Sequence, residues 1–508
     1  MAITNINTAS LSGIKGNIVR VEIHISSGLP CFNIVGLPDV SVRESKERVR
    51  AAIVNCGYEF PIGRITINLA PADLKKEGAL LDLPIAVGIL IATKQIYCED
   101  LAEYLFIGEL SLNGELKGVK GALPVVMEGM DKGIKKFLVP YDNVEECSLI
   151  KGADIFPFKH LKEVASYIQY RDLLPYESSN NIFEQYDDQL DFCDVKGQES
   201  AKRAIEVASA GGHNIALFGP PGSGKTMLAK RISSILPPMK YEEAIEVTKI
   251  YSVSGNLDKE ENIITKRPFR SPHHTTSKIA LVGGGRELMP GEISLAHNGV
   301  LFLDEILEFD KRVLNVLRQP LEDREILISR YNGSVKYPAN FMLVAALNPC
   351  PCGFYCSGVR ECTCTEYDRE RYLNKFSGPL LDRIDVFSYV NSLSYVEIKS
   401  SKKSEGSKNI RDRIRKAREI QNIRFKDNKI FTNSQMNVNE INKYCILDKK
   451  GSDLLEKIYS KFSLSTRAYS RILKVARTIA DLRENENVGE IDIAEAVQYR
   501  RFINNKVV

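Results

Sequence analysis

The stretch Asn214-Ile-Ala-Leu-Phe218 runs straight into Gly219-Pro220-Pro221-Gly222-Ser223-Gly224-Lys225-Thr226, and Met227-Leu-Ala-Lys-Arg-Ile232 follows. A buried strand, a glycine-rich turn and a helix in that order call for an α/β layer, and the turn matches the phosphate-cradling pattern G-x-x-x-x-G-K-[ST]. The three glycines let the backbone turn tightly and aim amides at phosphate oxygens without a side-chain clash. Lys225 supplies a point charge for the β- and γ-phosphates, and the Thr226 hydroxyl has the right length to reach Mg²⁺. The helix that follows presents its N-terminus to the anion.

A second element supports this reading. Gly299-Val-Leu-Phe-Leu-Asp304-Glu305 is another buried run, and it ends in two adjacent carboxylates. In a P-loop motor the first carboxylate holds Mg²⁺ and the second polarises the attacking water. Asp304 and Glu305 are therefore the expected pair, although a strand ending in surface acids has the same appearance. Together the two elements predict ATP hydrolysis rather than ATP binding alone.

The 508 residues, 44% hydrophobic and 26% charged, suit two to four globular domains. Net charge is +4, too small a total to argue nucleic-acid binding without local concentration of charge. The start, Met1-Ala-Ile-Thr-Asn-Ile-Asn-Thr8, lacks a basic segment followed by an apolar one, so no signal peptide is predicted. The longest apolar run, Leu83 to Thr93, is too short for a bilayer. Eleven cysteines, five of them clustered, suit a reducing cytoplasm and a metal site better than a disulfide framework.

The predicted organisation is a first domain over 1–172, a linker over 173–191, a nucleotide domain over 192–395, a second linker over 396–410 and a helical region over 411–508. Val19, Val21, Ile23 and Ile25 alternate with Arg20, Glu22 and His24, the mark of a half-buried strand. Residues 402–429 hold eleven Lys or Arg against four Asp or Glu, read first as a solvated helix face.

Lys225 and Asp304 are 79 positions apart, more than a simple ATPase core needs, so the chain carries an insertion between them. That interval contains Arg267-Pro-Phe-Arg-Ser-Pro-His273-His274, Leu281-Val-Gly-Gly-Gly-Arg286 and Pro290-Gly-Glu-Ile-Ser-Leu-Ala-His297. Further on come Leu317-Arg-Gln-Pro-Leu-Glu322, Asn348-Pro-Cys-Pro-Cys-Gly353, Ser377-Gly-Pro-Leu-Leu-Asp-Arg-Ile-Asp385 and Arg467-Ala-Tyr-Ser-Arg-Ile472. With these motifs the chain closely resembles, over essentially its whole length, the YifB/ComM family of magnesium-chelatase-like AAA+ ATPases. The resemblance implies a Lon-protease/S5-like α+β first domain, a central P-loop AAA+ αβα domain with a helix-2 insertion and a pre-sensor hairpin, and a C-terminal helical lid.

The resemblance also assigns roles. Asn348 matches the polar first sensor, Arg383 the finger that reaches a neighbouring subunit's γ-phosphate, and Arg467 the second sensor, on a helix capped by Ser465 or Thr466. A finger acting on a neighbour implies a ring, and the superfamily implies a homo-hexamer. The first domain is expected to be non-proteolytic. Its nucleophile segment, Pro71 to Ala86, contains no Ser, and the approximate position of the base falls at Leu123.

Two further features read from the residues themselves. Asn332-Gly333 between β-prone runs is a strong hairpin signal. There Arg330 and Lys336 are candidate phosphate contacts and Tyr331 a candidate base-stacking ring, unless this is simply an exposed hairpin with ordinary charges. Cys350-Pro-Cys352 and Cys362-Thr-Cys364 are two C-x-C pairs with Cys356 between them. Structural Zn²⁺ on four thiolates, free reduced thiols and an adventitious disulfide all remain open, since C-x-C is tighter than the usual spacing.

The leading expectation is an ATP-driven ring motor on single-stranded or branched DNA, similar to ComM-type branch-migration helicases and lying in the cytoplasm. The alternative is a motor subunit like that of magnesium chelatase, driving metal insertion. A Lon-type protease and an ATP-gated scaffold fit less well: the first lacks its serine, and Asp304-Glu305 argues against the second.

Overall fold

The computed structural model describes residues 3–76, 78–177, 190–257, 263–285, 287–330, 333–355, 360–376, 378–393, 395, 399, 404–426, 430–462 and 464–500. Contacts divide the chain into two units. One joins Met1–Ile182 to Tyr241–Ile264, and the other joins Phe183–Lys240 to Thr265–Val508. Most of the expected 173–191 linker, with Tyr331 and Cys356, lies outside the described residues.

The first unit is built on a mixed sheet of β1 (Ile3–Ser12), β2 (Lys15–Ser26), β3 (Cys31–Val35), β4 (Arg64–Ala70), β5 (Tyr104–Phe106), β8 (Lys136–Pro140) and β9 (Asp154–Phe158). The order is β3-β4-β2-β1-β5-β8-β9, and a short ribbon pairs β6 (Glu109–Leu110) with β7 (Leu116–Lys117). Val19, Val21 and Ile23 are fully buried while Arg20 is exposed, as the alternation in β2 predicts. The apolar run after Leu83 forms the helix Asp82–Ala92, whose residues 82 to 90 are all buried. It lies so close to the sheet that a Cβ on Gly88 would sit 2.3 Å from Ile23 Cδ1. A helix that is apolar all round is a core helix, and among the described residues none is long and apolar enough to cross a membrane.

The helix Tyr241–Ser254 belongs to this unit, although its sequence interrupts the nucleotide motifs. Ser252 accepts a hydrogen bond from the Gly121 amide at 3.1 Å, and Ile245 and Ile263 cluster with Leu149. Part of the long interval between Lys225 and Asp304 is therefore a segment that the first unit's core holds.

The second unit carries a parallel sheet of β10 (Ile215–Phe218), β11 (Phe269–Arg270), β14 (Val300–Leu303), β17 (Met342–Leu347) and β18 (Val386–Tyr389), ordered β11-β14-β17-β10-β18. Residues outside the sheet form the ribbon β12 (Gly283–Gly284) with β13 (Met289–Pro290) and the hairpin β15 (Glu325–Arg330) with β16 (Gly333–Pro338). A parallel sheet needs apolar strands because helices cover both faces, and every residue of β10, β14 and β17 is buried.

The C-terminal region is helical. Within the basic run, the helix Ser407–Arg424 buries Ile410, Ile414, Ala417 and Gln421 on one stripe. Its arginines are not merely solvated: Arg413 pairs with Glu206 and Glu405, and Arg424 pairs with Asp481 at 2.5 Å.

Candidate active site

The glycine loop lies between the end of β10 and the helix Lys225–Ile235. Gly222 (φ 75°) and Gly224 (φ 94°) occupy the left-handed region that side chains avoid. Gly219 is needed for a different reason, because a Cβ there would lie 2.2 Å from the Val390 carbonyl oxygen. The Lys225 amine donates to the carbonyls of Gly219 (2.8 Å) and Pro220 (2.9 Å) and to Asn348 Oδ1 (3.1 Å). Burial brings its pKa down to about 8, against the opposing pull of Asp304 and Glu305.

Because β17 runs between β10 and β14, Asn348 leaves the sheet beside both the loop and the carboxylates. The Thr226 hydroxyl donates to Asp304 Oδ2 at 2.7 Å, and the Glu305 amide donates to Asp304 Oδ1 at 3.0 Å. Glu305 has φ 48°, a left-handed conformation that costs a non-glycine residue of order 1–3 kcal/mol. The turn leaves Glu305 exposed while Asp304 stays half-buried against Thr226.

This donor set fits a nucleoside triphosphate with Mg²⁺. Left-handed glycines open the cradle, Lys225 brings the charge, and Thr226 with Asp304 offers two oxygen ligands of the hard kind Mg²⁺ prefers. Bound there, the ion would neutralise charge on the β- and γ-phosphates. Glu305, without an ion pair among the described residues, can accept a proton from water. The Asn348 carbonyl is engaged by Lys225, which leaves its NH₂ group to donate.

One positioning residue carries no motif in the sequence. Gln198 (φ 60°) donates to the Asn391 carbonyl at 2.6 Å and accepts from the Asn391 amide at 3.2 Å, with Ser223 O of the loop 3.5 Å away. It ties the loop to the chain leaving β18. The only signal was Gly197-Gln198 just ahead of a helix, which is too common to single out.

Arg383 and Arg467 both turn to Glu322. Arg383 pairs with it directly and donates to the Pro379 carbonyl at 2.5 Å, leaving its buried Nε without a partner among the described residues. Arg467 is 3.8 Å from the same carboxylate and 65% exposed. Ser465, not Thr466, caps its helix, accepting from the Ala468 amide. A buried lock, unforeseen in the sequence, links the two arginines. Asp385, two residues after Arg383, pairs with Arg471, one turn after Arg467, and accepts from the Asn214 amide at 3.1 Å. Burial works against its charge, yet Arg471 and His213 hold its carboxyl well below the usual range.

In the hairpin, Arg330 pairs with Gly333 at the turn, but Lys336 faces Leu327, three pairs further down. Lys336 also pairs with Glu325 at 2.7 Å, so of the described candidates only Arg330 stands at the tip. The thiols of Cys350, Cys352, Cys362 and Cys364 come within 4.8 Å of one another, and all four are free of disulfides. Amide donors, first that of Phe354, bring the Cys352 thiol down to about 6.

Comparisons with known proteins match the chain over nearly its whole length. Residues 191–398 match the family described as magnesium chelatase, subunit ChlI, 21–143 match subunit ChlI of Mg-chelatase, and 404–500 match the ChlI C-terminal family. Competence protein ComM of Haemophilus influenzae is 42% identical over 99% of this chain and 98% of its own length. Protein YifB of Escherichia coli is 43% identical over 98% and 97%. The magnesium-chelatase 38 kDa subunit of Cereibacter sphaeroides is 24% identical over 31% of this chain and 52% of its own. With such matches running from end to end, the chain belongs to the YifB/ComM family of magnesium-chelatase-like AAA+ ATPases.

Proposed function

We propose that this chain is the subunit of an ATP-hydrolysing hexameric ring that translocates on DNA, a branch-migration helicase of the ComM type. The observation that carries the proposal is the end-to-end likeness to competence protein ComM, set against the 31% of the chain that a magnesium-chelatase subunit matches. A metal-insertion motor would share these domain types, since magnesium-chelatase families match 191–398, 21–143 and 404–500, but ComM and YifB are relatives alike over nearly the whole chain. The first domain, Lon-protease-like without a nucleophile, serves as an adaptor.

In the proposed cycle Lys225 and the loop amides hold the triphosphate, with Thr226 and Asp304 on Mg²⁺. Glu305 draws a proton from the attacking water, and Asn348 orients that water. Arg383 and Arg467 are delivered together to the neighbouring subunit's nucleotide, since both converge on Glu322 and the Asp385–Arg471 pair gears them to one another. Glu322 holds them until the neighbour's phosphates replace it. Hydrolysis then moves the pore hairpins, with Arg330 at the tip and Tyr331 as the candidate stacking ring, along the strand. Lys336 contributes charge from further back.

The test is ATPase rate with and without single-stranded or forked DNA. Several-fold stimulation is expected. A rate indifferent to DNA across a range of salt would move the assignment to the chelatase-like motor.

A further inference from the structure

We propose that Cys350, Cys352, Cys362 and Cys364 form a structural zinc site that braces the nucleotide loop, so that metal and nucleotide bind cooperatively. The coupling rests on the nucleotide reading above; the zinc site itself does not.

Geometry argues for the metal first. Sγ–Sγ separations are 3.3 Å for Cys350–Cys352, 3.7 Å for Cys350–Cys362 and 3.6 Å for Cys352–Cys362. A tetrahedral Zn²⁺ with Zn–S of about 2.3 Å has edges of about 3.8 Å, close to these values and far from a disulfide bond of about 2.05 Å. Backbone amides already point at the sulfurs: Tyr355 N donates to Cys350 Sγ and Cys352 N to Cys364 Sγ, both at 3.4 Å. Gly353 (φ 84°) donates to the Cys350 carbonyl at 2.9 Å and turns the chain so that both cysteines of the first pair face inward. Four soft thiolates select Zn²⁺ over hard cations and leave no open coordination position.

The placement of the knuckle argues for the coupling. A Cβ on Gly353 would lie 2.6 Å from both Cδ and Cγ of Pro221, so the knuckle backbone rests directly on the phosphate loop. Its first ligand follows Asn348 by two residues, and Asn348 holds the Lys225 amine. Its last ligand precedes Thr365, which caps the helix Glu366–Leu373. Arg369 of that helix lies 4.1 Å over the Tyr355 ring of the knuckle, and the Tyr372 hydroxyl feels the charges of Glu308 and Glu305. One ion therefore pins three neighbours of the reacting groups. Linkage makes the effect reciprocal: whatever factor zinc adds to nucleotide affinity, nucleotide adds to zinc affinity.

The test uses the full chain purified without a histidine tag. Metal analysis is expected to give close to one zinc per chain, and Co²⁺ loading to give the intense thiolate-to-cobalt absorption of a tetrahedral site. In the wild type, a non-hydrolysed ATP analogue should slow zinc release to a colorimetric chelator. C362S/C364S should lose the metal and weaken analogue binding about tenfold, without DNA present. A trace of metal with no cobalt–thiolate band overturns the site. One zinc per chain, with release indifferent to the analogue, overturns the coupling, and this arm decides even where the double variant misfolds. Zinc-loaded wild type that binds no analogue also removes the coupling, and there the nucleotide reading has failed while the zinc site stands.

Discussion

Two buried lysines invite comparison. Lys76 follows β4 in the first unit and donates to the Pro71 carbonyl, and Lys225 follows β10 in the second and donates to the carbonyls of Gly219 and Pro220. Burial lowers the pKa of both; Lys76 precedes the helix Asp82–Ala92, and Lys225 begins the helix Lys225–Ile235. Their surroundings differ. The carboxylate that begins the helix after Lys76, Asp82, is fully buried and taken up by Arg48 at 2.7 and 3.1 Å. Around Lys225 stand an exposed Glu305 in a strained turn and a side-chain amide with donors to spare. A depressed lysine pKa therefore marks burial, and chemistry requires groups whose charge or hydrogen bonds are not already committed.

The largest effect expected from breaking the second region comes from Glu305→Gln. Turnover should fall about 10²–10⁴-fold, the range for losing a positioned base, with ATP affinity close to wild type. Single-turnover hydrolysis alongside equilibrium binding separates the two. A variant that keeps a tenth of the wild-type rate would remove Glu305 from the mechanism.

In the first region the counterpart is Asp82→Ala, which leaves Arg48 without its buried partner. A loss of about 3–5 kcal/mol is expected in denaturant unfolding of the first unit. ATPase per folded molecule should stay within about twofold at temperatures below unfolding, since no reacting group is touched. A stable variant with no turnover would give this segment a chemical role.

How much of this was legible in the sequence follows from where each interaction's partners lie. The glycine loop and Asp304-Glu305 are contiguous, and strand, turn and helix tendencies reinforce them locally. The two C-x-C pairs were visible by spacing alone. By contrast, the Asp385–Arg471 lock joins residues 86 positions apart, and Gly353 against Pro221 involves two residue types common in any turn. The Tyr241–Ser254 helix reads as part of the nucleotide domain because sequence order says so, whereas apolar contacts with Leu149 put it in the other unit. Lys336 looked close to the hairpin tip because its distance from the turn depends on register, which only the pairing reveals.

A smaller effect sharpens the comparison through pH. With Lys225 at about 8, the free protein loses that charge as pH rises past 8, and a bound triphosphate favours keeping it. ATP should therefore bind progressively more weakly, up to about tenfold by pH 9. Stability moves the other way. A lysine whose folded pKa is lowered takes up fewer protons than in the unfolded chain, so its penalty is full below about 8 and is relieved towards about 10.4. The wild type should gain stability relative to Lys225→Met across that window while it loses affinity. Parallel trends in the two measurements would mean that Lys225 is not the titrating group.

The smallest effect is expected at Lys76→Met. Removing this amine also removes the cost of burying it, and the methionine chain can fill much of the same volume, which leaves only the Pro71 carbonyl short of a donor. These contributions oppose one another at about 1 kcal/mol each, so thermal unfolding should shift by no more than a few degrees in either direction. The same substitution at Lys225 should abolish nucleotide binding. If instead both methionine variants bound ATP equally well, the phosphate loop would have no more claim to function than its silent counterpart.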